Sequence, residues 1–178
     1  MEITLRTISK SGITEAISKA TLYRYLNEPE EAESICHDIL AAEPDHQVAQ
    51  RILGLAITDQ FSGQPSDRYT EAESVFLQLA DPYEREYYMG LLYERRAKAQ
   101  MRAGRPAQML VGLFHEAMRH FDAAEKIHPP DNEDAVLRWN RCVRLLEKLP
   151  QVEWEQETSS FADHDIAPVE IISRRAAK

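Results

Sequence analysis

The residues best suited to metal or acid–base chemistry lie in one short stretch, residues 115–120. His115 and His120 flank Glu116 there, and both residue types bind zinc in proteins. Two histidines of one helix bind the same zinc when they are four residues apart. His115 and His120 are five apart, so they point about 140° away from each other. We therefore interpret the stretch as a polar helix face and keep a metal-dependent enzyme using Glu116 and His120 as the alternative.

Cys36 and Cys142 are the only thiols that could act as nucleophiles. Cys36 precedes His37, and adjacent residues point apart on a helix, so a Cys–His pair would need contacts between distant parts of the chain. The six glycines are scattered and form no phosphate-binding loop. The sequence predicts a non-enzyme with no catalytic residue, no metal and no cofactor, and a cysteine enzyme remains the second alternative.

Composition limits the classes of partner. The chain has 178 residues, 43% of them hydrophobic, and a net charge of −9. Negative charge opposes binding to nucleic acid and to anionic membranes, and no apolar run approaches the ~20 residues of a membrane span. We expect no nucleic-acid partner and no membrane partner. Two cysteines without a disulfide framework, and a start that lacks a secretory signal, favour the cytoplasm.

Helical spacing of apolar residues extends through the middle of the chain and predicts an all-α fold. Prolines and breaker clusters such as Ser62–Asp67 divide it. Asp45 is positioned to cap the third helix, Asp81 the fifth, and Asp131 or Asn132 the seventh. The predicted helices cover residues 13–26, 30–42, 46–61, 69–80, 82–103, 107–127 and 133–148.

Small residues recur in register along these helices. The second, fourth and sixth predicted helices each contain an alanine followed by apolar residues four and seven positions later. The three sets are Ala32, Cys36 and Ile39; Ala72, Phe76 and Leu79; and Ala117, Phe121 and Ala124. The helix preceding each has its own small residue, and these residues are Ala20, Gly54 and Gly90. Helices approach closely where a side chain is small, so we expect these positions to face each other within hairpins.

This register resembles the tetratricopeptide repeat (TPR) family over roughly residues 13–148, and Ala117…Phe121…Ala124…Pro129 matches it best. The resemblance implies a solenoid of antiparallel helix hairpins that binds protein. Extra residues between Gly90 and Ala117 predict an elongated third hairpin over 82–127. Trp139 stands where a small residue is expected, so the last helix is predicted to be a capping helix.

The TPR resemblance also implies a binding surface along the concave face formed by the first helix of each hairpin. Nine residues are the predicted peptide contacts: Arg24, Tyr25, Arg51, Leu55, Tyr87, Leu91, Arg95, Asn140 and Arg144. Arginine binds carboxylates through a two-donor fork, so an acidic or C-terminal peptide fits this row. The predicted function is a scaffold or adaptor that holds an extended peptide or helix. The alternative is that these arginines pair with neighbouring Asp or Glu.

The two ends of the chain differ from this helical domain, residues 13–149. Residues 1–12 form a predicted extension, in which Ile3, Leu5 and Ile8 form a short strand or pack on the first hairpin. Residues 150–178 form a predicted flexible acidic tail, with six acidic residues before Arg174. One hypothesis is that this tail docks on the arginine row of its own chain or of a second copy, and the alternative is a solubilising tail. A structural oligomerisation unit, and hence a homo-oligomer, is a further alternative.

Overall fold

The computed structural model describes residues 3–149, and the predicted acidic tail lies outside them. Seven α-helices follow a short 3-10 helix at Lys10–Gly12, and the described residues contain no strand. The all-α prediction is confirmed for this part of the chain. The helices are α1 (Ile13–Tyr25), α2 (Pro29–Ala42), α3 (Gln47–Asp59), α4 (Tyr69–Leu77), α5 (Pro82–Arg102), α6 (Ala107–Glu125) and α7 (Asp134–Leu146). Within residues 3–149, none of these is a candidate to cross a membrane.

Helix starts follow the predicted breaks, but the caps of α3 and α7 differ from those predicted. Glu133 takes the N-cap position of α7 without a side-chain cap bond, and Asn132 Oδ1 accepts from the Asp134 N–H at 2.9 Å. Asp81 Oδ1 accepts a hydrogen bond from the Tyr83 backbone N–H at 2.8 Å, and Pro82 occupies the first turn of α5. At the start of α3, His46 takes the position predicted for Asp45, because its Nδ1 accepts from the Ala49 N–H at 3.2 Å. Since α3 begins one residue later than predicted, the side chain in capping position is the imidazole.

Packing follows the order of the chain. Each helix contacts its successor, and the odd-numbered helices also contact one another as α1–α3, α3–α5 and α5–α7. The longest helices among the described residues are α5, with 21 residues, and α6, with 19, and they pack together through the region of the predicted elongated hairpin. Ile8 of the N-terminal segment packs against a small cluster that includes Ile13 and Ile39. Ile3 and Leu5 are 89% and 95% exposed, so the predicted packing holds for Ile8 alone, and residues 3–12 form no strand.

The small-residue register holds the hairpins together. A Cβ on Gly54 of α3 would lie 2.3 Å from Cε1 of Phe76 in α4, and a Cβ on Gly90 of α5 would lie 2.7 Å from the Phe121 ring in α6. Both phenylalanines are fully buried. Each ring therefore rests directly on glycine backbone, and no other residue fits opposite it without a shift.

In the first hairpin (α1 and α2), the same two positions face each other, but their side chains differ in size from those of the other hairpins. Ala20 of α1 and Cys36 of α2 are both fully buried in the same apolar cluster. The first helix here has a methyl group where Gly54 and Gly90 have none, and the second helix has a small thiol where Phe76 and Phe121 have rings. The paired volumes are complementary, as close packing of the hairpins requires.

Glu33 of α2 connects the first hairpin to the loop between α3 and α4. Its carboxylate accepts from Gln60 Nε2 and from Arg68 Nη2, both at 2.7 Å. Burial alone would raise the pKa of Glu33, but the hydrogen bonds from Gln60 and Arg68 and the charge of Arg68 outweigh burial. They hold the pKa below its ordinary value of 4.5.

Replacing Glu33 with glutamine will remove a pH-dependent part of the stability. A lowered folded-state pKa contributes stability above the unfolded value near 4.5 and loses it as the pH falls through the folded-state pKa. We expect Glu33→Gln to lower the free energy of unfolding by about 1 kcal/mol at pH 7, and by progressively less as the pH is reduced toward 3. Denaturant unfolding across this range measures the difference.

The matched control for Glu33 is Glu71→Gln, since Glu71 contacts the same guanidinium, with 3.2 Å to Arg68 Nε, but is 45% exposed. This change should cost less than about 0.5 kcal/mol at either pH. A Glu33→Gln deficit that stayed constant from pH 7 to pH 3 would contradict the linkage argument.

Candidate peptide-binding surface

An ion-pair network joins three of the odd-numbered helices. Arg24 Nε of α1 donates to Asp59 Oδ2 of α3 at 2.8 Å, and Arg95 of α5 pairs with the other oxygen of the same carboxylate. Arg95 also donates to the Thr58 hydroxyl at 2.6 Å and to the Leu55 carbonyl at 3.2 Å. Asp59 therefore holds two guanidinium groups that the sequence placed on the binding face.

The third arginine of the predicted row, Arg51, forms an ion pair with Glu84 at the start of α5. For Arg24, Arg51 and Arg95, the structure thus shows the pairing with nearby acids that the sequence left open as an alternative. Arg144 of α7 is exposed, and no ion pair involves it within residues 3–149.

The other predicted contacts differ in accessibility. Tyr25 is 83% exposed and Asn140 is exposed, whereas Leu55 and Tyr87 are half-buried. Leu91 is only 4% exposed, so its side chain belongs to the core and is not available to a ligand in this conformation.

A polar cavity of about 240 Å³ opens beside this network, between the end of α3 and the C-terminal half of α5. Thr58 and Asp59 line one side, and Arg95, Lys98 and Arg102 line the other. The three cations are separated by three and four residues, so they share one face of α5. Arg102 makes a long hydrogen bond of 3.4 Å, to the Phe61 carbonyl, and thus keeps donors for a further partner.

A buried carboxylate lies beneath these cations. Glu94 of α5 is fully buried, 3.4 Å from Lys98 Nζ and 3.5 Å from Arg138 Nη1 of α7. Its Oε2 accepts no hydrogen bond within the described part of the chain. Two cations therefore share one buried acid, which leaves positive charge on the solvent side.

The guanidinium groups from three helices are close enough to repel one another. Burial lowers the pKa of Arg95, Asp59 opposes this effect, and the charges of Arg24 and Arg138 lower the pKa further. We call the whole set the basic cluster: Arg24, Asp59, Glu94, Arg95, Lys98, Arg102 and Arg138. Five cations and two carboxylates give it a net charge of +3 in a chain whose net charge is −9.

The thiols have no activating environment. Cys36 and Cys142 are fully buried, and burial raises the pKa of each to about 12. A thiol with so high a pKa contains almost no thiolate near neutral pH, and thiolate is the nucleophilic form. Both side chains instead fill space in the apolar clusters.

Glu116 and His120 turn to separate partners. His120 Nδ1 lies 2.7 Å from Glu86 Oε2 of α5, and its ring stacks on Tyr93 with centroids 5.6 Å apart. Glu116 pairs with Arg119 at 2.9 Å. Among the residues that the structure describes, no group of three or more His, Cys, Asp or Glu side chains is arranged to hold a metal ion.

The chain was compared with protein-family models, curated proteins and solved structures. No protein-family model, curated protein or solved structure matches the chain.

Three cations of the basic cluster were absent from the predicted row. Lys98 and Arg102 follow Arg95 at helical spacing, so extending the α5 face by two turns would have identified both. Arg138 had no comparable signal, because its place is set by the buried carboxylate of Glu94 on another helix.

Proposed function

We propose that the chain is a TPR-like helical-repeat module that binds an extended acidic peptide of another protein on the face of its odd-numbered helices. The buried pairs Gly54–Phe76 and Gly90–Phe121, and the contacts from each odd-numbered helix to the next, support the repeat architecture. In this proposal α5 and α6 are the elongated hairpin, α7 is the cap, and the free thiols favour a reducing, cytoplasmic location.

The basic cluster is the observation that carries the peptide proposal. A net positive charge concentrated beside a cavity attracts carboxylates and disfavours cationic partners. Lys98 and Arg102 are the cations we expect to contact the peptide. Both line the cavity, and Lys98 pairs with Glu94 at 3.4 Å only, whereas Asp59 holds both Arg24 and Arg95. Arg24 and Arg95 then contribute the electrostatic field, and Tyr25 and Arg144 extend the surface toward its ends.

The test compares binding of a labelled peptide of alternating Glu and Ala with binding of its Gln counterpart, by fluorescence anisotropy. The variant Lys98→Glu/Arg102→Glu should weaken binding of the Glu peptide roughly 30-fold, at about 1 kcal/mol for each reversed contact. The salt dependence of the affinity should fall as well.

A matched control reverses two charges away from the cluster. Arg119→Glu/Lys126→Glu, in α6 and at its C-terminal cap, changes the net charge equally. These side chains are exposed and contact only residues nearby in the sequence, namely Glu116, His120 and Asp122. This control should alter the affinity less than threefold. Equal losses in both double variants, or equal binding of the Glu and Gln peptides, would refute a specific acidic-peptide site.

A further inference from the structure

The described chain ends beside the basic cluster. Leu146 and Leu149 pack against the apolar cluster that contains Ala97 of α5, the residue before Lys98. Cys142 of α7 lies within electrostatic range of Glu94, Lys98 and Arg138. The C-terminal end of α7 is therefore adjacent to the part of α5 that carries the half-buried Lys98 and the exposed Arg102.

The next residues along the chain have a charge pattern suited to those cations. Glu153, Glu155 and Glu157 alternate with Trp154 and Gln156. In an extended conformation, carboxylates two residues apart lie on one side of the chain, about 6.6 Å from each other. Lys98 and Arg102 are separated by about 6 Å along the axis of α5, at 1.5 Å per residue.

The linker is long enough for a direct contact. Four residue steps lead from Leu149 to Glu153, and they span up to about 13 Å when extended. Contact within one chain also benefits from a high effective concentration, of millimolar order for short linkers. Even a weak interaction with Lys98 and Arg102 would then be well populated.

We propose that residues 153–157 of the chain occupy its own basic cluster, with alternate glutamates on Lys98 and Arg102, and compete with an acidic partner peptide. This inference rests on the proposed function for the identity of the competitor, whereas the contact itself is independent of it. A partner displaces the segment only if it supplies more carboxylates or additional apolar contacts. The segment thus sets a threshold for binding.

The contact is tested by zero-length carbodiimide cross-linking of the full chain, which joins a lysine to a carboxylate only when the two touch. Mass spectrometry should find Lys98 joined to Glu153, Glu155 or Glu157. Lys98→Arg keeps the charge and should abolish the product, because arginine does not react. The pair Lys126–Asp122, at 2.6 Å, is the internal reference for the reagent.

Two outcomes of the cross-linking would overturn the proposal. One is formation of the Lys126–Asp122 product without any product between Lys98 and residues 153–157. The other is found by mixing isotopically light and heavy protein: a product that joins light to heavy chains would show that the segment docks on a second copy instead.

Competition is tested with Glu153→Gln/Glu155→Gln/Glu157→Gln in the full chain, which should bind the Glu peptide roughly tenfold more tightly than the wild type. Asp163→Asn/Asp165→Asn, a change farther along the same tail, should have little effect. Unchanged affinity in the triple variant would refute competition. If the cross-link forms but the triple variant binds no Glu peptide, the contact stands and the proposed peptide function fails.

Discussion

Replacing Gly54 with alanine will lower the free energy of unfolding by about 3 kcal/mol and the Tm by roughly 10 °C. The added methyl carbon would lie between 2.3 and 2.8 Å from three atoms of the Phe76 ring, well inside van der Waals contact. Phe76 is fully buried, so the ring cannot move aside into solvent. Relief of the clash requires α3 and α4 to separate.

The sign of this effect is opposite to that expected from helix propensity. Alanine in a helix interior is favoured over glycine by about 1 kcal/mol when nothing opposes it. Gly112 of α6 provides that reference, because a Cβ added there would meet no neighbouring side chain or packed helix within 4 Å. We expect Gly112→Ala to raise stability by about 0.5–1 kcal/mol in the same urea titration.

A compensating change tests the volume argument directly. Gly54→Ala/Phe76→Cys would give the second hairpin the small-residue pair that Ala20 and Cys36 supply in the first. The second change removes the clash but loses the buried ring, so it should recover only part of the loss. A double-mutant cycle with a coupling free energy near zero would show that Gly54 and Phe76 do not constrain each other.

The sequence predicted the elements of the fold because its signals were local. Prolines and helical spacing placed all seven helices, with ends that differ from those observed by at most three residues. The packing of Gly54 against Phe76 could also be predicted from the sequence, because it depends on residue size at fixed intervals. The sequence could not predict that His46, and not Asp45, caps α3, since this depends on a one-residue shift of the helix start.

The surface was harder to predict because charge pairing is not local. Arg24 and Asp59 are 35 residues apart, and Arg95 is 36 residues from Asp59. The TPR resemblance predicted that Arg24 and Arg95 lie on one face, but it could not show which charges neutralise each other. Only the packing of α1, α3, α5 and α7 shows that Asp59 holds Arg24 and Arg95, while Arg102 and Lys98, which pairs with Glu94, line the cavity.

Replacing Asp59 with alanine will change stability and binding in opposite directions. The substitution leaves two partly buried guanidinium groups, 20% and 22% exposed, facing each other without a carboxylate between them. We expect the free energy of unfolding to fall by about 2 kcal/mol, less than for a fully buried pair because water reaches the site. Urea unfolding measures this loss.

The same substitution makes the basic cluster more positive. With Asp59 removed, Arg24 and Arg95 regain donors for a ligand and the net charge of the cluster rises from +3 to +4. The Glu peptide should bind roughly five- to tenfold more tightly, in line with about 1 kcal/mol for an added charge contact. Anisotropy titration at fixed salt provides the measurement.

The control for Asp59 is Asp122→Ala, which removes the exposed pair with Lys126 on α6 and should cost less than about 0.5 kcal/mol without changing peptide affinity. If both alanine variants lost the same stability, the network around Asp59 would be no stronger than an ordinary surface pair. If Asp59→Ala instead bound the peptide more weakly, Asp59 would be organising the site, because loss of arginine geometry would then outweigh the gain in charge.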